Sequence, residues 1–285
     1  MKRKGMLRAV LRKPGMVIGI AMFSAILACA IFAPLLANQN PYNLAELSLM
    51  DAQLPPLSPS SEGYTLWFGS DDQGRDLFSA ILYGVRVSLM VAIIATSLAL
   101  VIGTAVGLSA AYVGGALDAL LMRIADVQLA FPGILIALVL LAVLGAGLDK
   151  VIIAIVAVQW AYYARVARSS ALVECSKEYV LAARGLRYSP PRIMLLHVLP
   201  NAFAPLAVVV AVETASAVAL EATLSFLGIG LPITQPSLGL LIANGYAFML
   251  TGAYWLSFYP GLVLLLLLVS INLIGEGLNQ LGNRN

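Results

Sequence analysis

The stretch KEYVLAARGLRYSPPRIMLLHVLPN, Lys177 to Asn201, is one of the few sustained polar runs in a chain of 285 residues whose composition is 61% apolar. It lies between two long apolar stretches. Its alanine and leucine content favours a helix. Ser189-Pro190-Pro191 is predicted to end that helix, because proline lacks an N–H group and clashes with the preceding turn. A second short helix is predicted from Arg192 to Val198, ending at Leu199-Pro200.

The composition around this stretch is that of a membrane protein. Only 11% of the residues are charged and the mean hydropathy is +0.93, whereas a soluble domain has about 25% charged residues. The net charge of +3 is small, so we predict no nucleic-acid binding. Cys29 and Cys175 are expected at different depths, so neither a disulfide nor a zinc site is indicated. With His197 as the single histidine, no nucleophile–base pair is evident.

Six apolar segments have the length of about 20 residues that a bilayer requires. They are Met16–Ala37, Val87–Val113, Ile124–Leu148, Val151–Val173, Phe203–Gly228 and Phe258–Gly277. A tight turn at Asp149-Lys150 is predicted between the third and the fourth, and Pro132 is predicted to kink the third. The chain divides into a basic N-terminus (1–15), a first span (16–37), an external loop (38–86), a five-helix core (87–278) with a polar loop at about 174–201, and a tail (279–285).

The basic residues predict the orientation, since Lys and Arg favour the cytoplasmic side. The N-terminus holds Lys2, Arg3, Lys4, Arg8, Arg12 and Lys13. The polar segment, which we define as Glu174 to Asn201, and the end of the span before it hold Arg165, Arg168, Lys177, Arg184, Arg187 and Arg192. Six spans place both termini and the polar segment in the cytoplasm. The first span is too long for a signal peptide, whose apolar region has about 7–15 residues.

The residues of the polar segment leave two interpretations open. It is either an amphipathic helix that rests on the bilayer surface or a docking site for another protein. Ala182 and Ala183 favour docking, because small side chains let a second surface approach the backbone closely. The basic rim favours an acidic partner or anionic lipid headgroups.

The polar segment resembles the cytoplasmic coupling loop of ABC-importer permeases. The family pattern is Glu-Ala-Ala, three residues, Gly, nine residues, Ile, one residue and Leu-Pro. Aligned on Leu199-Pro200, the two alanines fall on Ala182 and Ala183. Three positions depart from the pattern, with Leu181 for Glu, Arg187 for Gly and His197 for Ile.

Four further stretches resemble blocks of one branch of that family, the dipeptide, oligopeptide and nickel permeases. They are WFGSDDQGRDLFSAILYGVRVSL (Trp67–Leu89), DALLMRIADVQLAFPGILIAL, EATLSFLGIGLPITQPSLGLLI and YPGLVLLLLLVSINLIGEGL. The resemblance runs from about Lys13 to Leu278, with five blocks in the right order. The tail NQLGNRN lacks the acidic, proline-containing ending common in the branch.

The resemblance implies the type I ABC importer fold and a set of partner chains. Two permeases pair, typically different ones, and each coupling helix sits in a groove of one of two cytoplasmic ATPases that bind ATP and magnesium. An external solute-binding protein delivers the cargo. The implied coupling residues are Glu178, Tyr179, Ala182, Ala183, Arg184, Arg187, Leu199 and Pro200.

No phosphate-binding loop is present in this chain. Such a loop needs Gly-Lys-Ser/Thr, and none of the five lysines is followed by Ser or Thr. We therefore predict that the chain is not an enzyme and has no catalytic residue, cofactor or metal of its own.

Two acidic residues inside the fifth span are candidate pathway residues. Glu213 is near mid-membrane, where an ionisable group is costly and usually faces the bundle interior or water. It is predicted to line the pathway and favour a cationic group, such as a peptide amino terminus or a metal complex; a buried hydrogen bond to a neighbouring span is the alternative. For Glu221 a pathway position and a structural bond across helices both remain open.

The other charged clusters are predicted to be structural. The spacing in GSDDQGRD does not match an EF-hand loop, so a turn followed by a helix cap at Asp76 is predicted. Arg123 and Asp126 are three residues apart and are predicted to pair on one helix face.

The sequence therefore predicts an all-α membrane protein with about six transmembrane helices and cytoplasmic termini. Its predicted function is that of a peptide ABC importer permease, in contact with lipid in the bacterial inner membrane. A nickel or metal-chelate importer permease is the alternative within the class. A non-transporting scaffold or receptor is the alternative from another class, and it gives no reason for the ordered blocks.

Overall fold

The computed structural model describes residues 13–43, 47–232 and 235–282, and this part is mostly helical. The helices are α1 Pro14–Ile31, α2 Ala33–Leu36, α3 Leu77–Val113, α4 Gly115–Leu129, α5 Gly133–Leu144, α6 Leu148–Cys175, α7 Glu178–Gly185, α8 Pro190–Ile193, α9 Leu199–Phe226, α10 Leu238–Tyr246 and α11 Trp255–Gly282. A π-helical turn, Met194–Val198, joins α8 to α9. Short 3-10 turns are Leu49–Asp51 and Met249–Thr251, and two short strands, β1 Ser58–Pro59 and β2 Thr65–Leu66, pair antiparallel.

The candidate spans are five long helices and one broken one. Helices α1, α3, α6 and α11 and the continuous run Pro190–Phe226 are long and apolar enough to cross a bilayer. The pair α4–α5 passes the same test together but is bent by 89°. Pro132 caps the start of α5 and cannot donate a helical hydrogen bond, so the kink predicted at this proline is a full break.

Several span boundaries differ from the predicted ones, and two of these differences have a clear local cause. Helix α3 begins at Leu77 rather than at Val87, because the Asp76 side chain accepts hydrogen bonds from Phe78 N and Ser79 N and caps the helix there. The predicted cap is therefore confirmed, but the predicted loop 38–86 ends earlier. The turn before α6 lies at Gly145 and Gly147, whose φ angles are 83° and 154°, rather than at Asp149-Lys150.

The predicted helix break at Leu199-Pro200 is wrong. The chain stays helical from Pro190 through the π-helical turn into α9. Pro190 and Pro191 occupy the first positions of α8, and Pro200 the second position of α9. Proline is tolerated in a first helical turn, where the N–H groups have no intrahelical partner, and this accounts for Pro190 and Pro191. Pro200 directly follows the π-helical turn, where the α-helical hydrogen-bond pattern is already interrupted.

Helices α3 and α6 form the most closely packed pair of the bundle. A Cβ atom added at Gly103 would lie 2.3 Å from Trp160 O, and one at Gly107 would lie 2.3 Å from Ala164 O. Small residues four apart let two membrane helices touch backbone to backbone. Helices α9, α10 and α11 complete the core, and α1 packs on α11.

Helix α4 is held against α6 by two ion pairs. Arg168 Nη2 is 2.6 Å from Asp118 Oδ2, and Arg165 pairs with Asp126. The predicted Arg123–Asp126 pair is not among the ion pairs of the described residues. The carboxylate of Asp126 bonds across to the neighbouring helix instead, which fixes the position of α4 against α6.

The region between α2 and α3, predicted as irregular chain, holds the β1–β2 pair and two buried charged clusters. Asp71 Oδ2 is 2.6 Å from Arg75 Nε, and both side chains are almost fully buried. The Asp51 carboxylate accepts hydrogen bonds from Ser60 Oγ, Ser61 Oγ and Ser61 N at 2.8–2.9 Å. These hydrogen bonds outweigh the effect of burial and hold the pKa of Asp51 below its ordinary value.

Candidate functional site

The polar segment folds back across one end of the bundle. Helix α6 ends at Cys175, and α7 begins at Glu178. Val180 and Ala183 are three residues apart on the inner face of α7 and are buried. They belong to an inner cluster of buried side chains from α3, α6, α8 and the π-helical turn, namely Leu108, Ala171, Cys175, Val180, Ala183, Ile193, Met194 and Val198. Helix α7 is thus anchored to the bundle by apolar packing.

The opposite face of α7 is exposed. Its residues follow the i, i+3, i+4, i+7 spacing of one helix face and are Glu178, Leu181, Ala182 and Gly185; we call them the outer face of α7. Leu181 is 53% exposed, although it is apolar. Glu178 stands in the first turn of α7, where a negative charge is favourable for the helix dipole. The outer face is small and largely apolar around Ala182.

The two alanines of the predicted docking site therefore have different roles. Ala182 is exposed on the outer face, whereas Ala183 is 4% exposed and packs inside the chain. The expectation that both alanines meet a partner is corrected for Ala183, because α7 must bury one face to hold its position.

Arg187, which stands where the family pattern has glycine, has a backbone conformation that usually requires glycine. Arg187 has φ +56°, in the left-handed region. Tyr188 N donates to Ala183 O at 3.2 Å, and Arg187 N donates to Arg184 O at 2.9 Å. This is the Schellman pattern that ends a helix. The turn therefore has the same shape with arginine as it would have with glycine. The left-handed backbone conformation costs free energy at Arg187, because an L-residue with a Cβ atom is strained there.

The arginines of the polar segment form a basic rim beside the outer face. The Arg184 guanidinium lies 5.0 Å from the centre of the Tyr112 ring of α3, and that of Arg192 lies 4.7 Å from the Tyr188 ring. Contacts of this kind fix a cation over an aromatic face. Arg184, Arg187 and Arg192 all remain exposed, so their positive charge is available to a partner.

A hydrogen-bond chain joins α7 to the two long helices on either side of it. Tyr179 Oη donates to Glu174 Oε2 at 2.5 Å. Asn201 Nδ2 donates to Tyr179 Oη at 3.2 Å and to His197 O at 2.8 Å. Burial and the hydrogen bond to Glu174 raise the pKa of Tyr179 to about 12, so its hydroxyl stays protonated at neutral pH.

Sequence reasoning named Tyr179 but missed its two partners. Glu174 lies at the end of α6 and Asn201 near the start of α9, on either side of the polar segment. An acid at the end of an apolar span, five residues before a tyrosine, is the signal that could have found the first. Leu199 is half-buried and packs against the inner cluster, while Pro200 is exposed.

Glu221 lies inside the helical core of the chain. It is 0% exposed, accepts from Ser88 Oγ of α3 at 2.6 Å and accepts from Ser225 Oγ at 2.8 Å. Both carboxylate oxygens are therefore occupied by hydroxyl donors. This geometry favours the structural bond across helices over a pathway position.

Glu213 lies beside two polar residues of α6. Gln159 Nε2 donates to the backbone carbonyl of Glu213 at 2.6 Å. Gln159 Oε1 and Tyr163 Oη are buried and have no hydrogen-bond partner among the described residues. Glu213 itself is 8% exposed. Gln159 and Tyr163 were not predicted, although a glutamine in the apolar run VIIAIVAVQW is a signal for such a site.

Two protein families match the sequence. Residues 103–284 match the family described as binding-protein-dependent transport system inner membrane component. Residues 3–56 match the family described as the N-terminal TM domain of oligopeptide transport permease C. The first match spans more than half of the chain and includes the whole polar segment.

Curated relatives align over nearly the full chain. The dipeptide transport system permease protein DppC of Alkalihalophilus pseudofirmus is 36% identical over 269 residues, 93% of this chain and 84% of that protein. The oligopeptide transport system permease protein OppC of Bacillus subtilis is 34% identical over 278 residues, 98% and 88% of the two chains. A putative peptide transport system permease protein of Brucella suis is 37% identical over 273 residues, 96% and 88%.

A solved structure has the same fold. A chain of the MetNI methionine ABC transporter, in inward facing conformations, superposes with a TM-score of 0.56. The match covers 72% of this chain and 95% of that chain at 19% identity. At this identity the likeness concerns the arrangement of helices and not the cargo.

Proposed function

Because the chain belongs to the family of binding-protein-dependent transport system inner membrane components, we propose that it is the permease subunit of an ATP-driven importer of di- or oligopeptides. It is a multi-pass protein of the bacterial inner membrane, and ATP hydrolysis belongs to separate subunits. The observation that carries the cargo class is the near full-length similarity to permeases named for dipeptides and oligopeptides.

The outer face of α7 is proposed as the contact with a cytoplasmic ATPase. Three features support this: a small residue at its centre (Ala182), an exposed apolar neighbour (Leu181) and a basic rim. The inner face of the same helix is locked to α3, α6 and the π-helical turn. Motion of a docked ATPase would therefore move the membrane helices and not a loose loop.

The remaining partners are a second permease and an external solute-binding protein. The family description itself names transport that depends on a binding protein. Exposed apolar side chains spaced three or four residues apart line both helices, namely Leu117, Leu120, Ile124 and Val127 of α4 and Leu135, Val139 and Val143 of α5. Such a stripe suits either lipid or the paired permease.

Glu213 is proposed to line the pathway and to favour the ammonium group of a peptide. Support comes from its depth in an apolar helix and from the unpartnered polar atoms of Gln159 and Tyr163 beside it. Glu213→Gln keeps the size and removes the charge, so uptake of peptides with a free amino terminus should fall. Uptake that is unchanged for every peptide tested would rule out this role.

Nickel import and a non-transporting scaffold are less well supported. The relatives described above are named for peptides, and nickel is in none of their names. A scaffold would have no need of the family's transport fold across the whole core.

The test of the proposed function is reconstitution of the chain with the products of its neighbouring genes in proteoliposomes. ATP-dependent uptake of labelled di- and tetra-alanine is measured, together with retention of the ATPases on purification. Ala182→Arg should abolish retention, because a long charged side chain would stand in the contact, whereas Ala182→Ser should retain it. If Ala182→Arg retains the ATPases and transports normally, the outer face is not the docking site.

A further inference from the structure

The most connected polar side chains at the end of the bundle are Glu174, Tyr179 and Asn201, which we call the clasp. Each comes from a different helix: Glu174 from α6, Tyr179 from α7 and Asn201 from α9. The covalent chain joins α7 to α6 through two residues, but it joins α7 to α9 through a turn, α8 and the π-helical turn. The clasp shortens this second connection to a single hydrogen bond, from Asn201 Nδ2 to Tyr179 Oη at 3.2 Å.

The hydroxyl of Tyr179 is the centre of the clasp. A hydroxyl has one proton, and the 2.5 Å contact to the Glu174 carboxylate takes it in preference to the 3.3 Å contact to His197 O. Its lone pairs accept from Asn201 Nδ2. The other Glu174 oxygen accepts from Lys177 Nζ at 2.6 Å, so both carboxylate oxygens are occupied. A hydrogen bond to a charged group is about twice as strong as a neutral one.

The clasp meets α9 at a point where the helix is irregular. Leu199 N donates to Met194 O, five residues back, which is the π pattern. Single π turns inside α-helices are rare overall. Where they do occur, they are often found at functional sites. Asn201 Nδ2 also holds His197 O, inside this turn. The clasp therefore braces the segment of the α8–α9 run that has the least regular hydrogen bonding.

We propose that the clasp transmits displacement of α7 to α6 and α9 together, which makes Tyr179 a positioning residue for transport. This inference rests on the proposed docking of an ATPase on the outer face of α7. Apolar packing holds the inner face of α7 on the bundle, but dispersion contacts have little directional preference, whereas hydrogen bonds are directional. The clasp fixes the direction, so that closure of the ATPases turns both helices instead of tilting α7.

The test compares Tyr179→Phe with Tyr188→Phe in the reconstituted transporter. Both variants remove one hydroxyl from the same segment, but the Tyr188 hydroxyl makes no hydrogen bond to any described residue. The measured quantity is the ratio of labelled di-alanine taken up to ATP hydrolysed. We expect Tyr179→Phe to lower this ratio about tenfold or more, the scale set by a lost hydrogen bond to a charged group, and Tyr188→Phe to leave it unchanged.

The outcomes separate the clasp from a merely structural role. If uptake and hydrolysis fall in proportion, or neither falls, the ratio is unchanged and the inference is overturned. If Tyr179→Phe does not assemble, the same ratio is measured for Asn201→Ala, which removes the exposed end of the clasp. A wild-type complex without ATP-dependent uptake would overturn the proposed function and this inference with it, whereas uptake with an unchanged ratio overturns the inference alone.

Discussion

Replacing Arg187 by glycine should stabilise the helix that we propose as the docking element. Arg187 adopts φ +56°, and a left-handed conformation costs an L-residue about 1–2 kcal/mol. Glycine removes that cost but adds entropy to the unfolded chain, a penalty of roughly 0.5–1 kcal/mol. The difference leaves a net stabilisation of about 0.5–1 kcal/mol for the folded turn.

Hydrogen exchange of the α7 amides measures this gain directly. Local opening exposes the amides to exchange, and a gain of about 0.5–1 kcal/mol slows exchange roughly two- to fivefold. The assay is deuterium uptake of peptides covering residues 178–189 in detergent, with peptides from α11 as the internal reference. The turn is outside the apolar spans, so its amides are reached by solvent.

Two controls separate the backbone from the side chain. Arg187→Ala removes the guanidinium but keeps the Cβ atom, so exchange should not slow. Leu186→Gly places glycine at a position with φ −77°, where the same entropy penalty is not offset, so exchange should accelerate. If Arg187→Ala slows exchange as much as Arg187→Gly, charge and not backbone strain is responsible, and the reasoning is refuted.

Three other predictions concern the core and the region between α2 and α3. Glu221→Ala should lower the free energy of unfolding by about 2–4 kcal/mol, because it leaves buried hydroxyls unpaired, while Glu221→Gln should lower it less. Thermal unfolding in detergent measures both variants, and equal losses of stability would contradict this prediction. Gly107→Leu should abolish folded yield by separating α3 from α6, whereas Gly261→Leu, where an added Cβ meets nothing within 4 Å, should be tolerated; size-exclusion chromatography distinguishes them. The depressed pKa of Asp51 means that its stabilisation is present above the unfolded-state pKa of about 3.8 and is lost as pH falls through the lower folded value. The thermal unfolding temperature should therefore fall as pH drops below about 3.8 in the wild type, and Asp51→Asn should remove the part of the fall due to this carboxyl.

Much of the fold could be predicted because membrane spans are a local property. Apolar length and the distribution of Lys and Arg depend on consecutive residues, so the number of spans follows from the chain itself. The helix cap at Asp76 was found in the same way, since a cap is a contact with the next few residues. The break at Pro132 was predicted as a kink, but its 89° angle depends on what α4 packs against.

The candidate site could be predicted as a segment but not as a set of contacts. The family resemblance predicted a docking site at Ala182 and Ala183, yet only packing against the inner cluster determines that Ala183 faces inward. Asp126 has an ideal partner three residues away in Arg123, and the structure pairs it with Arg165 of α6 instead.

The sequence by itself determined the class of protein, the approximate spans and the position of the polar segment. The tertiary structure decided which face of α7 is free, that Glu221 is enclosed by hydroxyl donors, and that Tyr179 joins three helices. The physical reason is one of range. Hydropathy, capping and charge bias act over a few neighbouring residues, whereas Glu174 and Asn201 meet at Tyr179 only because two membrane helices end side by side.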